Sequence, residues 1–128
     1  MVNYLTSAKL NVPDIVKACH KYGIYCGVDL AHAAGSLPVD LHNWEVDCAV
    51  WCNYKYLNSG PGALGGLFMH SNHKDLLPGL RGWHGNSRKT QFLMDPNFDP
   101  EKDARRYQIS NYDPGSMTRI DASLDLFQ

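Results

Sequence analysis

The chain has 128 residues, of which 44% are hydrophobic and 20% charged, and its formal net charge is −1. These values are ordinary for one modest globular domain, and Lys and Arg form no cluster larger than an adjacent pair such as Arg105 and Arg106, so the sequence predicts neither a nucleic-acid surface nor a polybasic membrane patch. No apolar run approaches the roughly 20 residues that a membrane-spanning helix needs.

The N-terminal half of the chain alternates between helical and strand-like patterns. A helix is predicted over residues 13–22, because Pro13 suits the first helical position and Ile15, Val16 and Cys19 fall on one face. Gly23 follows as a stop signal. Runs rich in apolar residues then predict three strands, at residues 24–30, 47–53 and about 65–70. The first two runs are mostly apolar throughout, which predicts strands buried on both faces.

Loops and one further helix make up the rest. Residues 31–44 form a connector with turn-forming residues, a glycine-rich turn follows at 59–62, and residues 71–114 are loop-rich, with Arg105 and Arg106 predicted to be solvated. The last twelve residues are predicted to be the opening turns of an unfinished helix, so we expect a piece of a larger protein. The order helix, strand, connector, strand, turn, strand predicts an α/β fold.

The cysteines and histidines indicate no metal or disulfide framework. The four cysteines lie in apolar or strand-like stretches without C-x-x-C spacing, which favours buried free thiols in a reducing compartment: Cys19, Cys26, Cys48 and Cys52. His70 and His73 form an H-x-x-H pair, but no carboxylate or thiolate follows at metal-ligand spacing. The N-terminus lacks the apolar segment of a secretory signal, and we expect a cytoplasmic protein.

Two charged residues stand at the predicted ends of neighbouring strands. Asp29 ends the first strand and Lys55 follows the second, between Tyr54 and Tyr56. Functional groups of open α/β sheets gather beyond the carboxyl ends of strands, so we expect both to face one pocket. A lysine in an apolar, aromatic surrounding is poorly solvated as a cation and can act as a nucleophile toward an aldehyde. Each residue alone also has a structural explanation, as a turn former or a surface lysine packed on tyrosine rings.

The sequence resembles the fold-type I pyridoxal-phosphate enzymes of the class V aminotransferase group and, within that group, the kynureninase family. The resembling segments run along nearly the whole chain: residues 11–13, VDLAHAAG at 28–35, 41–70, GLRGWHGN at 79–86, FLMD at 92–95 and ISN at 109–111. D-L-A-H together with Y-K-Y-L-N-x-G is specific to kynureninases. The resemblance implies a three-layer αβα architecture with a mostly parallel sheet. Residues 1–128 would then be part of the cofactor-binding large domain of a longer chain.

The resemblance implies catalytic roles for Lys55 and Tyr54 and a cofactor-binding role for Asp29. Lys55 would hold pyridoxal 5′-phosphate covalently and then act as the base that moves the Cα proton. Asp29 would pair with the pyridine nitrogen and keep it protonated, which makes the ring an electron sink. Tyr54 would donate a hydrogen bond to the phosphate and relay a proton to the substrate.

Three more residues complete the cofactor site that the resemblance implies. His32 would lie beside the cofactor and help to fix it. Trp83 and Asn111 would reach it from the partner subunit of a homodimer. Structural explanations stay open for all three: a turn cap for His32, a loop anchor for Trp83 and a turn residue for Asn111.

The implied reaction is hydrolysis of the Cβ–Cγ bond of L-kynurenine or 3-hydroxy-L-kynurenine, giving alanine and anthranilate or 3-hydroxyanthranilate, in tryptophan catabolism and NAD biosynthesis. One alternative is another class V enzyme, an aminotransferase or a cysteine desulfurase, although Tyr54 rather than histidine precedes the lysine and no cysteine follows Cys52. A second alternative is an inactive fragment or interaction module. The isolated chain is expected to bind the cofactor poorly and not to turn over.

Overall fold

The computed structural model describes residues 1–127. Two helices and three strands occur in the order α1 (Val12–Lys21), β1 (Gly27–Asp29), β2 (Cys48–Cys52), β3 (Gly65–Met69) and α2 (Pro114–Leu124). Backbone contacts divide the chain into a first unit, Met1–His70 with the segment from Asp113 onward, and a second unit, Ser71–Tyr112. The predicted helices and strands are therefore all present, and the first strand is shorter than predicted.

Helix α1 begins and ends at the local signals in its sequence. The side chain of Asn11 accepts a hydrogen bond from the backbone N–H of Asp14 at 3.5 Å, which caps the first turn. The helix ends where Gly23 adopts a left-handed backbone with φ of 68°. Val12 and Val16 are buried on its inner face and Cys19 is half-buried. Ile15, predicted on the same face, is 41% exposed, because the packed face runs through positions 12, 16 and 19 at helical spacing.

The sheet has the order β1-β2-β3 and is mixed. β1 pairs with β2 in parallel, whereas β2 pairs with β3 antiparallel. Parallel neighbours need a crossover connection, usually a helix, and the connection between β2 and β3 contains no helix. The sequence predicted a mostly parallel sheet, and within the described strands only the pair that carries Asp29 is parallel.

The core lies on one face of the sheet. Val28, Ala49 and Phe68 stand in register on that face, against Val12 and Val16 of α1. On the opposite face Asp29, Val50 and Leu67 stand in register, and Val50 is 51% and Leu67 40% exposed. The prediction that the first two strands are buried on both faces is wrong for this chain, because nothing within residues 1–127 covers the second face.

The second unit is organised around a buried arginine rather than a sheet. The guanidinium of Arg106 donates to the backbone carbonyls of Lys74 and Leu76, and the hydroxyl of Tyr107 donates to the carbonyl of Leu76 at 2.9 Å. Arg106 is 6% exposed, so the prediction that it is solvated is wrong, whereas Arg105 is exposed and pairs with Asp103. Carbonyl oxygens of loops replace the water around the buried cation.

Helix α2 starts at a tight cap. The carboxylate of Asp113 accepts hydrogen bonds from the backbone N–H groups of Gly115 and Ser116 and from the Ser116 hydroxyl, at 3.2, 2.8 and 2.8 Å. Pro114 occupies the first helical position, where its missing N–H costs nothing.

Within residues 1–127 no helix is long and apolar enough to cross a bilayer.

The cap at Asp113 makes the stability of α2 dependent on pH. The hydrogen bonds from Ser116 and Gly115 hold the pKa of the Asp113 carboxyl below its ordinary value of 3.8. A lowered folded-state pKa means that the cap stabilises fully above the unfolded pKa and loses this contribution as the pH falls through the folded pKa. We expect thermal unfolding, followed by circular dichroism below about pH 5, to show wild type losing more stability than Asp113→Asn. Identical losses in the two proteins would contradict this assignment of the cap.

Candidate active site

The parallel pairing of β1 with β2 brings the two predicted chemical segments to one edge of the sheet. Beyond the strands, the thiol of Cys52 lies 3.9 Å from the carbonyl oxygen of Ala31, and the rings of His32 and Tyr56 meet edge to face at 5.9 Å. Gly35 packs so closely on the carbonyl of Tyr56 that a Cβ there would overlap it. The segment that follows Asp29 and the turn that carries Lys55 therefore form one continuous surface.

Asp29 presents a carboxylate that is only partly used within the chain. Its Oδ1 accepts the backbone N–H of Ala31 at 2.7 Å, which forms the turn that ends β1. Within residues 1–127 no hydrogen bond engages its Oδ2, and the side chain is on the exposed face of the sheet. The turn-forming explanation of Asp29 is thus correct. Its Oδ2 remains available to accept a hydrogen bond, for example from a protonated ring nitrogen.

Lys55 and Tyr54 leave the end of β2 side by side. The ammonium Nζ lies 5.9 Å from the centroid of the Tyr54 ring, and Lys55 is half-buried. Within residues 1–127 no carboxylate lies within ion-pair distance of Lys55, and no hydrogen bond engages the phenol of Tyr54, which is 50% exposed. An amine without a counterion beside a free phenol supplies a nucleophile and a proton donor, the groups needed to capture a carbonyl compound.

A buried amide holds the turn that carries this pair. Asn53 is 6% exposed; its Oδ1 accepts the indole N–H of Trp51 at 2.9 Å and its Nδ2 donates to the carbonyl of Leu64 at 2.7 Å. Its backbone carbonyl accepts the N–H of Ser59 at 3.2 Å. Asn53 therefore ties the end of β2 to the start of β3. The sequence analysis missed this role, because nothing local distinguishes Asn53 from an ordinary turn residue.

The other two predicted site residues lie in the second unit. The backbone of Gly82 packs against that of Ile109 so closely that a Cβ on Gly82 would overlap it, which places the segments of Trp83 and Asn111 side by side. The indole N–H of Trp83 donates to the carbonyl of Gln91 at 2.9 Å, so this residue does anchor a loop, while its ring remains 39% exposed. Asn111 is exposed and accepts the backbone N–H of the next residue.

A separate cluster of thiols lies around the buried carboxylate of Asp47. Asp47 accepts the backbone N–H of Cys26 at 2.5 Å and contacts Nε2 of His20 at 2.9 Å. Burial raises the pKa of the Cys26 thiol, with a further contribution from Cys19, and burial also raises the pKa of Cys48. All four cysteines are free, and the raised pKa values of Cys26 and Cys48 keep these two thiols protonated and unreactive. Among residues 1–127 no set of three or more ligating side chains could hold a metal ion.

Comparison with known proteins shows which family and which curated proteins this chain is similar to. The family model described as aminotransferase class V matches residues 3–93. The chain is 44% identical to kynureninase 2 of Neurospora crassa, over 99% of this chain and 30% of that protein. It is 47% identical to the kynureninase of Myxococcus xanthus, over 98% of this chain and 30% of that protein. The chain thus spans about 30% of the length of these curated relatives.

Solved structures share the fold. A lysine-to-alanine mutant of C-DES with glycine covalently linked to the PLP cofactor superimposes with a TM-score of 0.81 at 24% identity, over 99% of this chain and 33% of that one. The cysteine desulfurase CsdA of Escherichia coli gives a TM-score of 0.76 at 18% identity, over 98% of this chain and 30% of that one. These neighbours are fold-type I enzymes, so the predicted α/β class and fold type are confirmed.

The role of Asn53 can be tested on stability. We expect Asn53→Ala to lower the free energy of unfolding by about 1–3 kcal/mol, because the buried carbonyl of Leu64 and the indole N–H of Trp51 lose their partner. The control Asn43→Ala removes an exposed amide and should change stability by less than about 0.5 kcal/mol. Denaturant unfolding measures both, and equal stability of the two variants would refute the role of Asn53.

Proposed function

The chain belongs to the class V aminotransferase family, and on that premise we propose that it is the part of a kynureninase large domain that carries the catalytic lysine. The proposed enzyme hydrolyses the Cβ–Cγ bond of L-kynurenine or 3-hydroxy-L-kynurenine to alanine and the corresponding anthranilate. Identities of 42–47% to kynureninases along nearly the whole chain support this reaction over others of the family. We further propose a cytoplasmic homodimer that acts in tryptophan catabolism and NAD biosynthesis.

One observation carries the proposal: a lysine without a counterion follows β2 at the same sheet edge where β1 ends in a half-used carboxylate. This donor set fits pyridoxal 5′-phosphate, which presents an aldehyde for an amine and a ring nitrogen for a carboxylate. When bound, the cofactor supplies a ring that stabilises negative charge at the substrate Cα. Within this proposal Lys55 would hold the cofactor through its aldehyde, and Oδ2 of Asp29 would accept a hydrogen bond from the protonated ring nitrogen.

The remaining proposed roles concern protons and orientation. The amine of Lys55 would take the proton from the substrate Cα and return it later in the reaction. Tyr54 donates its phenolic hydrogen to the phosphate and exchanges a proton with the substrate, because its hydroxyl is unengaged and its ring is beside the lysine. His32, held against the ring of Tyr56, borders the cofactor. Such acid–base assistance accelerates a reaction by about 10²–10⁴-fold.

Trp83 and Asn111 are proposed to complete the site from the partner subunit. The indole N–H of Trp83 is engaged by Gln91, so Trp83 would contribute the face of its ring rather than a hydrogen bond. Asn111 keeps its amide N–H₂ free of hydrogen bonds within residues 1–127 and would donate from there. Both residues lie in the second unit, whereas the residues that bind the ring and the aldehyde lie in the first.

The assignment of Lys55 is testable by spectroscopy on the longer chain that carries these residues. Wild type mixed with pyridoxal 5′-phosphate should develop the absorbance band of a lysine-linked cofactor. Lys55→Ala should lack this band, because it removes the amine to which the proposal assigns the aldehyde, whereas Lys17→Ala on the exposed face of α1 should keep it. A band that persists in Lys55→Ala would disprove the assignment.

The reaction is tested separately by the products. L-Kynurenine should yield fluorescent anthranilate, and Lys55→Ala should lower turnover by more than about 10²-fold, because it removes the group that moves the Cα proton. The competing candidate, a cysteine desulfurase, predicts sulfide release from L-cysteine and no anthranilate. Sulfide without anthranilate, in a protein that shows the Lys55-dependent band, would overturn the proposed reaction and keep the cofactor.

A further inference from the structure

The loop that follows Lys55 satisfies only part of its backbone internally, as in the hydrogen bond from the N–H of Asn58 to the carbonyl of Lys55 at 3.1 Å. Asn58, Gly60 and Gly62 adopt left-handed conformations with φ of 52°, 80° and 75°. Such alternation excludes a regular ladder of hydrogen bonds, so carbonyls of the loop need donors from elsewhere. The hydroxyl of Ser59 is buried and has no hydrogen-bond partner within residues 1–127. Hydrogen bonds of its backbone must therefore hold this residue in place.

Helix α2 supplies the missing donors from one face. The guanidinium Nε of Arg119 donates to the carbonyl of Ser59 at 3.2 Å, and the hydroxyl of Ser123 donates to the carbonyl of Leu57. Positions 119 and 123 are four residues apart and share a helix face. Ser123 is 8% exposed, so its bond to Leu57, two residues beyond Lys55, is shielded from water.

Arg119 is in turn oriented by the first turn of the same helix. Its Nη2 donates to the hydroxyl of Ser116 at 2.9 Å, and that hydroxyl donates to the carboxylate of Asp113 at 2.8 Å. A hydroxyl has one hydrogen, and the shorter bond to Asp113 takes it, so the 3.3 Å contact of Ser116 with the carbonyl of Gly62 is secondary. The loop is therefore held mainly through Arg119 and Ser123.

We propose that Arg119 and Ser123 are positioning residues for Lys55. By fixing the carbonyls of Ser59 and Leu57, they hold the turn in which Lys55 leaves β2 and so set where its amine stands. The inference rests on the proposed function, in which Lys55 binds pyridoxal 5′-phosphate. The new element is that the position of the Lys55 amine depends on side chains of α2, more than 60 residues further along the chain.

The test compares hydroxyl and guanidinium deletions on one helix, in the longer chain. Ser123→Ala and Arg119→Met each remove a donor to the loop. Thr118→Ala is the matched control, because the hydroxyl of Thr118 is exposed and donates only to the carbonyl of Pro114 within α2. Ser123→Thr keeps the hydroxyl and should restore much of what Ser123→Ala loses.

The first measurement needs no cofactor. Hydrogen exchange of the backbone amides at residues 54–60 should become about 3- to 10-fold faster in Ser123→Ala and Arg119→Met, the effect of losing one hydrogen bond, and should stay unchanged in Thr118→Ala. Unchanged exchange in both deletion variants would overturn the proposal, whatever the enzyme does. Faster exchange in the deletion variants, together with a wild type that fails to form the Lys55-dependent band, would refute the proposed function and leave the loop contact standing.

The second measurement separates positioning from stability. We expect kcat for L-kynurenine to fall by about 10-fold to 10²-fold in the deletion variants, with KM little changed, because misplacing a catalytic group by about 1 Å costs up to 10²-fold. The pH midpoint of the absorbance band should also move, since the lysine nitrogen then stands in different surroundings. Variants with a lower unfolding temperature, unchanged kcat and an unchanged midpoint would show that α2 only stabilises the fold.

Discussion

Parallel pairing of two short strands is the constraint on which the rest of the first unit depends. The register of Asp29 with Val50 makes both strands end at one edge, and the connectors that leave them must then share the same space. They share it because the contacting groups are small or planar. Gly35 packs against the carbonyl of Tyr56, and the ring of His32 packs against the ring of Tyr56. The end of β1 at Asp29 and the turn that carries Lys55, 26 residues apart in sequence, thereby lie at one edge of the sheet.

The loop after β2 shows how an irregular backbone is held rigid. Its left-handed residues leave carbonyls without ladder partners, and three side chains compensate: Asn53 from within the loop, and Arg119 and Ser123 from α2. Each bond is modest, but unpaired buried polar groups are expensive, so the loop is strongly biased to one conformation. In the proposed function, Lys55 on such a loop would need little reorganisation before it reacts, which is the condition for efficient covalent catalysis.

The partly used carboxylate of Asp29 lies on the exposed face of the sheet. Asp29 shares that face with Val50 and Leu67, both of which are substantially exposed in this chain. Curated relatives are about three times longer, and in the proposed kynureninase further chain would supply what meets this face. Trp83 and Asn111, in a unit organised by the buried Arg106, remain the predicted contribution of the partner subunit.

Local signals in the sequence determined much of this protein. Asn11, Pro13 and Gly23 set the bounds of α1 because caps and turns act over a few residues, and the strand-like runs located all three strands. The pairing of D-L-A-H with Y-K-Y-L-N-x-G identified the family and nominated Lys55 before any geometry was known. Only the tertiary structure decided the antiparallel third strand, the one-sided burial of the sheet and the burial of Arg106. Only the tertiary structure, too, revealed that Ser123 bonds to the carbonyl of Leu57, 66 residues away. The physical reason is that the sequence around a hydrogen-bond donor on a helix does not indicate which distant carbonyl will accept from it. Tertiary packing alone brings the two groups together.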